Sequence, residues 1–209
     1  MPKPATPLYI DAVKHVRAVA SPVRAAAVDA LEVIGPATVA QLAEVLGYPP
    51  DGLYYHVAAL KRLGLVIEVE PEKGAAASRF DVRGRPVTLR YRLNDRAQGR
   101  AMSAVVSTML RSAARGFQRA YVPGFAQVDG PNRNLRAGRR TAWLTSGELR
   151  VLNRYIERIH TMFGQGRPQR RNARLHEFTY VLSPSLPAGR RLTRRHYPTK
   201  AHKAPKARK

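Results

Sequence analysis

A chain of 209 residues, 44% of them hydrophobic, is long enough for one or two domains with buried cores. It contains no cysteine, which excludes disulfides, thiolate metal sites and cysteine nucleophiles together. The formal net charge is +23 and unevenly spread: residues 1–95 carry 12 Lys and Arg against 10 Asp and Glu, and the remainder carries 25 against 4. A surplus of that size repels itself unless a polyanion lies against it, and nucleic acid is the default partner. No apolar run approaches a membrane span and no signal-like segment opens the chain, so a soluble cytoplasmic protein without a membrane partner is expected.

In chain order, Thr6-Pro7 can start a short helix carrying Val13, Val16 and Ala20. Ser21-Pro22 offers an N-cap followed by proline at the first helical position, where its missing N–H is harmless. Val23, Ala27, Leu31 and Ile34 then form one apolar stripe, and Gly35-Pro36 stops that helix. Thr38 and Gln41 read as a capping box for a helix with Val39, Leu42, Ala43 and Leu46 inward, closed by Gly47 in the left-handed conformation. A third helix opens at Pro49-Pro50, turns Leu53, Val57, Leu60 and Leu63 inward, and ends at Gly64. The period then changes. Leu65–Glu70 and Val87–Leu93 are β-branched or alternating stretches separated by a Gly/Ala-rich loop, and they predict a two-stranded ribbon.

Helical patterning returns after Asp95. Met102, Val105, Val106, Met109, Leu110, Ala113 and Phe117 make one broad stripe, and residues 121–142 read as irregular. Thr145 and Glu148 form a second capping box ahead of Leu149, Leu152, Ile156, Ile159 and Phe163. His176–Leu182 is compatible with a short strand, and residues 189–209 are basic, lack apolar periodicity and read as disordered. The expected fold class is therefore mainly α with a small β-ribbon. It divides into a winged helix-turn-helix domain over 1–95, a mainly helical dimerisation or effector region over 96–188 and a disordered basic tail over 189–209.

In a helix-turn-helix the second helix enters the major groove. At about 100° per residue, directing Leu53, Val57 and Leu60 to the core leaves Asp51, Tyr55, Ala58 and Arg62 pointing away. Gly52 and Ala59 flank that face on one side, and Tyr54 and Lys61 on the other. Small residues at 52, 58 and 59 let the backbone approach a duplex. Tyr55 offers a hydroxyl or an aromatic edge, and Lys61 and Arg62 can neutralise phosphates. Packing competes with contact most strongly at Tyr54, and His56 falls beside the apolar stripe, where a half-buried packing role is favoured slightly over DNA contact. Thr38 and Gln41, at the head of the preceding helix, complete the helical part of the candidate DNA-binding set. The ribbon loop carries Lys73, Arg79, Arg83, Arg85, Arg90 and Arg92, and Gly84 and Pro86 mark a turn expected to hold Arg83 and Arg85 outward.

Several segments in order, Ala20-Ser21-Pro22-Val23-Arg24, Val39–Gly47, Leu53-Tyr54-Tyr55-His56-Val57 and Leu60–Val66, resemble the ArsR-type winged helix-turn-helix transcriptional regulators across roughly residues 10–95. The resemblance implies operator binding as a homodimer, with the helix beginning near Pro50 as the recognition helix. Two features depart from the family pattern: Pro49 stands where a capping Ser or Thr is usual, and the family's thiolate metal sites have no counterpart. Trp143-Leu144-Thr145, opening a helix, is similar to C-terminal extensions of some members.

The stripes over 102–117 and 149–163 suit a core or a dimer seam. Trp143, Phe117 and Phe163 are candidates to line an effector pocket, with ordinary packing as the competing role, and no small-molecule effector is otherwise supported. Glu157/His160 and His176/Glu177 are read as surface pairs, so no metal, cofactor or catalytic residue is assigned. An enzyme is disfavoured, because only Asp129, Glu148, Glu157 and Glu177 follow residue 95 and no nucleotide-loop, nucleophile-elbow or zinc-protease motif occurs. Two readings compete with a sequence-specific regulator. One is a non-specific nucleoid- or RNA-associated protein acting through its basic half; the other is a winged helix that binds protein.

Overall fold

Proline, glycine and capping side chains punctuate the chain into short helices that share one core. The computed structural model describes residues 6–70, 77–163 and 174–184. The element order is β1 (Leu8–Ile10), α1 (Val13–Val19), α2 (Pro22–Ile34), β2 (Ala37–Thr38), α3 (Val39–Leu46), α4 (Pro50–Arg62), β3 (Val66–Val69), β4 (Arg79–Val82), β5 (Val87–Leu89), α5 (Arg96–Ala120) and α6 (Ser146–Phe163). The described residues are thus mainly helical, with a small antiparallel sheet. Residues through Thr179 form one unit; of a second, Tyr180–Lys209, only 180–184 are described, and they are neither helix nor strand.

The capping chemistry works at two of the three expected starts. Thr38 Oγ1 accepts from Gln41 N at 3.2 Å while Gln41 Oε1 accepts from Thr38 N at 2.9 Å, closing the box on α3. Ahead of α6, Thr145 Oγ1 accepts from Glu148 N at 3.2 Å, and the Glu148 carboxylate accepts from both Thr145 N and Oγ1. Those bonds, the hydroxyl's first, hold the Glu148 carboxyl below its usual range. Ser21 stands at the N-cap of α2 without a side-chain cap bond. Gly47 adopts φ 66°, the left-handed turn that ends α3.

The core is built from one leucine or valine per helical turn. Leu31 of α2, Leu42 of α3, Leu53, Val57 and Leu60 of α4, and Leu65 just beyond it are almost fully buried. Ala101, Met102 and Val105 of α5 join the same cluster with Val16 and Val19 of α1. Removing a leucine from such a site costs about 2–5 kcal/mol, the lost transfer energy plus the cavity.

Three expectations are corrected. Residues 8–10 form a strand rather than the start of a helix, because β1 pairs in parallel with β5 in the register Leu8↔Val87 to Ile10↔Leu89. The ribbon after α4 therefore does not use Val87–Leu93; β3 pairs antiparallel with β4, from Val66↔Val82 to Val69↔Arg79, and β2 pairs on the other edge of β4. The Arg79–Val82 stretch, which had read as loop, alternates too briefly to stand out. Residues 176–182 form no strand, since no neighbouring edge pairs with them among the described residues. The tail at 189–209 lies outside the described residues, as does Lys73.

Gly84 shows why β1 and the ribbon's exit are so close: a Cβ there would stand 2.1 Å from the carbonyl oxygen of Thr6. Buried Gln98 then ties the pieces together. Its Oε1 accepts from Arg92 N at 2.5 Å, and its Nε2 donates to Asp11 O at 2.5 Å and Arg90 O at 3.1 Å. One amide thus serves the β1–α1 junction, the strand exit and the first turn of α5. The variant Gln98→Ala leaves these backbone groups unpaired in the interior, and a loss of about 3 kcal/mol is expected from the cost of such groups. Urea unfolding checks it: the midpoint should fall at constant m, and a change within error would remove Gln98 from this role.

Candidate nucleic-acid interface

Helix α4 starts with Pro49 at its N-cap, without a side-chain cap bond, and Pro50 at its first position. Its ends suit its dipole: Asp51 lies in the first turn and Lys61 and Arg62 in the last. A three-residue turn, Gly47-Tyr48-Pro49, joins it to α3, and the two helices pack against each other. With Leu53, Val57 and Leu60 buried, Asp51, Gly52, Tyr54, Tyr55, Ala58, Lys61 and Arg62 are all exposed. Tyr54, where packing competed most strongly with contact, is 56% exposed, and Tyr55 is 65% exposed. Two tyrosines with that much free surface on one short helix form an aromatic, hydroxyl-bearing ridge. His56 is half-buried beside the stripe as expected; its Nδ1 has no hydrogen-bond partner, and the Tyr55 ring stands edge-on to it at 5.5 Å.

The charges on this face are not equivalent. Lys61 pairs with Glu68 of β3, tying the last turn of α4 to the ribbon, and that ammonium holds the exposed Glu68 carboxyl below its usual range. Arg62 enters no ion pair among the described residues. Thr38 and Gln41 sit at the head of α3 with their oxygens engaged in the capping box, Gln41 exposed and Thr38 half-buried.

The ribbon's arginines separate sharply. Arg83 is exposed, and its guanidinium lies over Gly64 at the foot of α4, 3.2 Å from where a Cβ would stand. Arg85 is corrected: it is not held outward by the Gly84-Pro86 turn. Its Nη1 donates to Asp81 at 3.0 Å, its Nη2 to Leu31 O at 2.6 Å and also to Asp81, and its Nε to Glu32 O at 3.2 Å. The physical reason is the C-terminus of α2: Pro36 has no N–H to offer the Glu32 carbonyl, and the negative end of the helix attracts a cation, although Leu31 O already accepts from Gly35 N at 3.0 Å. Glu32 completes the fastening by accepting from Val87 N at 2.8 Å. Arg79 donates to Pro36 O at 2.7 Å, Arg90 stacks on the Tyr9 ring 3.3 Å from its centre, and Arg92 pairs with Asp11 at 2.6 Å. Of the six basic residues assigned to the ribbon, four are engaged within the fold. Apart from Asp81, four residues from Arg85, each partner is far along the chain, so sequence periodicity carried little signal for this.

Residues 19–70 match the family model of a helix-turn-helix domain. The match runs from the end of α1 through β3, and so contains the α3–turn–α4 unit whose exposed face is described above. A helix-turn-helix domain suggests a DNA-binding regulator and supports DNA as a partner. No curated protein matches the chain.

Elsewhere, the proposed pocket-forming aromatics do not form an enclosed group. Trp143 is fully exposed, Phe117 faces Tyr121 at 6.2 Å and Phe163 faces Phe178 at 5.9 Å. His160 Nδ1 lies 3.9 Å from Glu157, and among the described residues no three His, Cys, Asp or Glu converge as metal ligands. No described helix is long and apolar enough to cross a membrane.

The contrast between neighbouring arginines is measurable. Arg85→Ala should cost about 3 kcal/mol, since it leaves the mostly buried Asp81 carboxylate without its counter-charge and the Glu32 carbonyl without its donor. Arg83→Ala should stay within about 0.5 kcal/mol, as exposed substitutions do. Equal midpoints for both variants in chemical denaturation would contradict the latch.

Proposed function

We propose that the protein is a sequence-specific transcriptional regulator of the ArsR-like winged helix-turn-helix type, cytoplasmic and acting on the bacterial nucleoid. The observation that carries this reading is the face of α4: in the second helix of a helix-turn-helix, Asp51, Gly52, Tyr54, Tyr55, Ala58, Lys61 and Arg62 are exposed, Lys61 beside Glu68, while the opposite side is locked into the core. Asp51, Gly52 and Tyr55, nearest the helix start, read base edges; Ala58 allows close approach; Lys61 and Arg62 hold phosphates. Thr38 and Gln41 support α3 against the backbone, and Arg83, at the foot of α4, serves as the wing's contact. Arg85 acts through the fold, holding the β3–β4 ribbon, the wing of this reading, on α2.

The proposed division of labour gives residues 1–95 the reading of the groove, 96–188 dimerisation and 189–209 non-specific attraction to the backbone. Dimerisation is supported by α6, which buries none of its residues although Leu149, Leu152, Ile156, Ile159 and Phe163 share one side. A two-fold pair of recognition helices reads half-sites about one helical turn apart. No cofactor or catalytic step belongs to this reading.

Selection from random duplexes with the full chain should return a pseudo-palindrome. Recovery of duplexes without a shared motif would favour a non-specific coating protein. Tyr55→Ala and Arg62→Ala should each weaken binding to the selected site by about 10-fold, roughly one lost contact, with unchanged thermal midpoints. Normal affinity in both variants would place the DNA face elsewhere. Ile156→Asp should shift the sedimentation mass from dimer to monomer; an unaltered mass would exclude α6 from the seam.

A further inference from the structure

Helix α5 carries five exposed arginines, Arg96, Arg100, Arg111, Arg115 and Arg119, and not one acidic residue in 25 positions. Its buried side, Gln98, Ala101, Met102, Val105 and Thr108, faces the core through α1 and α2. At about 100° per residue, Arg96, Arg100 and Arg111 fall on the half of the helix opposite that side, Arg115 lies at its edge, and Arg119 has wound round to the azimuth of Ala101, beyond the last buried residue, Thr108. Ser103 and Ser107 fill the gap in the row, so nothing bulky separates its two ends. The row follows a helix about 37 Å long, close to one turn of duplex DNA.

Intramolecular stability does not account for this pattern. Arg96/Arg100, Arg111/Arg115 and Arg115/Arg119 are like-charge pairs four residues apart, which destabilise a helix. Arg96 and Arg100 also crowd the positive end of the helix dipole, offset there only by the Asp95 cap, which accepts from Ala97 N and Gln98 N. None of the five forms an ion pair among the described residues; Arg111 donates to Thr108 Oγ1 at 3.3 Å, and Glu177 approaches Gly116, on the far side from Arg96, Arg100 and Arg111 but only about 60° round the helix from Arg119. Helix α6 differs: its Arg150, Arg154 and Arg158 share the helix with Glu148 and Glu157.

We infer that the arginine row of α5 is a second nucleic-acid contact surface, separate from α4, that lies along the phosphate backbone of duplex DNA. Guanidinium groups bind phosphate oxygens in a fork, and a row of them spaced along a rigid rod matches a row of phosphates. Its partner is the sugar–phosphate chain, so it adds affinity and orientation without base preference. The inference rests on the regulator reading in that duplex DNA is the polyanion concerned.

The test uses the full chain with Arg100, Arg111 and Arg115 changed together to Gln, and separately to Lys. The salt dependence of binding is measured on the selected site and on a scrambled duplex. Each phosphate contact contributes about −0.9 to the slope of log K against log salt, so the Gln variant should lose about 2–3 from that slope on both duplexes alike. The Lys variant should keep the slope, and its retained binding guards against mistaking misfolding for lost contact. The Gln variant's thermal midpoint should equal or exceed the wild type's, because like-charge repulsion is removed. An unchanged slope in the Gln variant, with the selected site still preferred, overturns the α5 surface and leaves the regulator reading standing. A slope lost only on single-stranded RNA also overturns it. Absence of any selected site in the wild-type chain removes the regulator reading, and absence of any duplex binding removes both.

Discussion

The rotation of α4 about its own axis is the constraint from which the rest follows. Leu53, Val57 and Leu60 occupy one side of that helix and are buried against leucines and valines of α2, α3 and β3. Turning the helix by one residue would exchange Leu60 for Lys61 in the core and bury a charge at a cost no contact there offsets. Tyr54, Tyr55 and Arg62 face outward as a consequence of where the leucines go. The same packing holds the foot of α4 against β3, where Lys61 meets Glu68 and Arg83 crosses Gly64.

The two halves of the chain use arginine in different ways. Before residue 95 most arginines serve the fold: Arg85 closes the end of α2, Arg79 reaches Pro36, Arg90 covers Tyr9 and Arg92 pairs with Asp11. Ten acids lie in that half to balance 12 bases, and Asp11, Glu68 and Asp81 among them form ion pairs within the fold. After residue 95 only four acids accompany 25 bases, so arginines on α5 have few internal partners to choose from. The bulk of the positive field therefore comes from the half that does not contain the helix-turn-helix match. In the reading proposed here, groove recognition and long-range attraction to DNA reside in different parts of the molecule, which lets one change without disturbing the other.

Legibility in the sequence tracked the range of the interactions. The starts of α3 and α6 were readable because a capping box needs only residues i and i+3, and both boxes close with the expected atoms. The exposed side of α4 was readable because helical period and three leucines determine it. The second strand of the ribbon was misplaced because Arg79–Val82 is four residues long, and its pairing with β3 and β2 depends on neighbours far away. Val87–Leu93 looked more strand-like, yet β5 is claimed by β1 from the other end of the domain. The arginine row on α5 was present in the spacing of the sequence, but its exposure could be judged only once the opposite side was seen to be buried.

By itself, the order of residues determined the capped helix starts at α3 and α6, the apolar stripes and the imbalance of charge, since each depends on covalent geometry, local hydrogen bonds or simple composition. Tertiary structure alone decided which strands pair, and it turned Arg85 from an outward turn residue into the fastening of α2. It also left the apolar side of α6 without buried residues. Those outcomes depend on which distant groups arrive within hydrogen-bonding or van der Waals distance, and periodicity along the chain carries no information about that arrival.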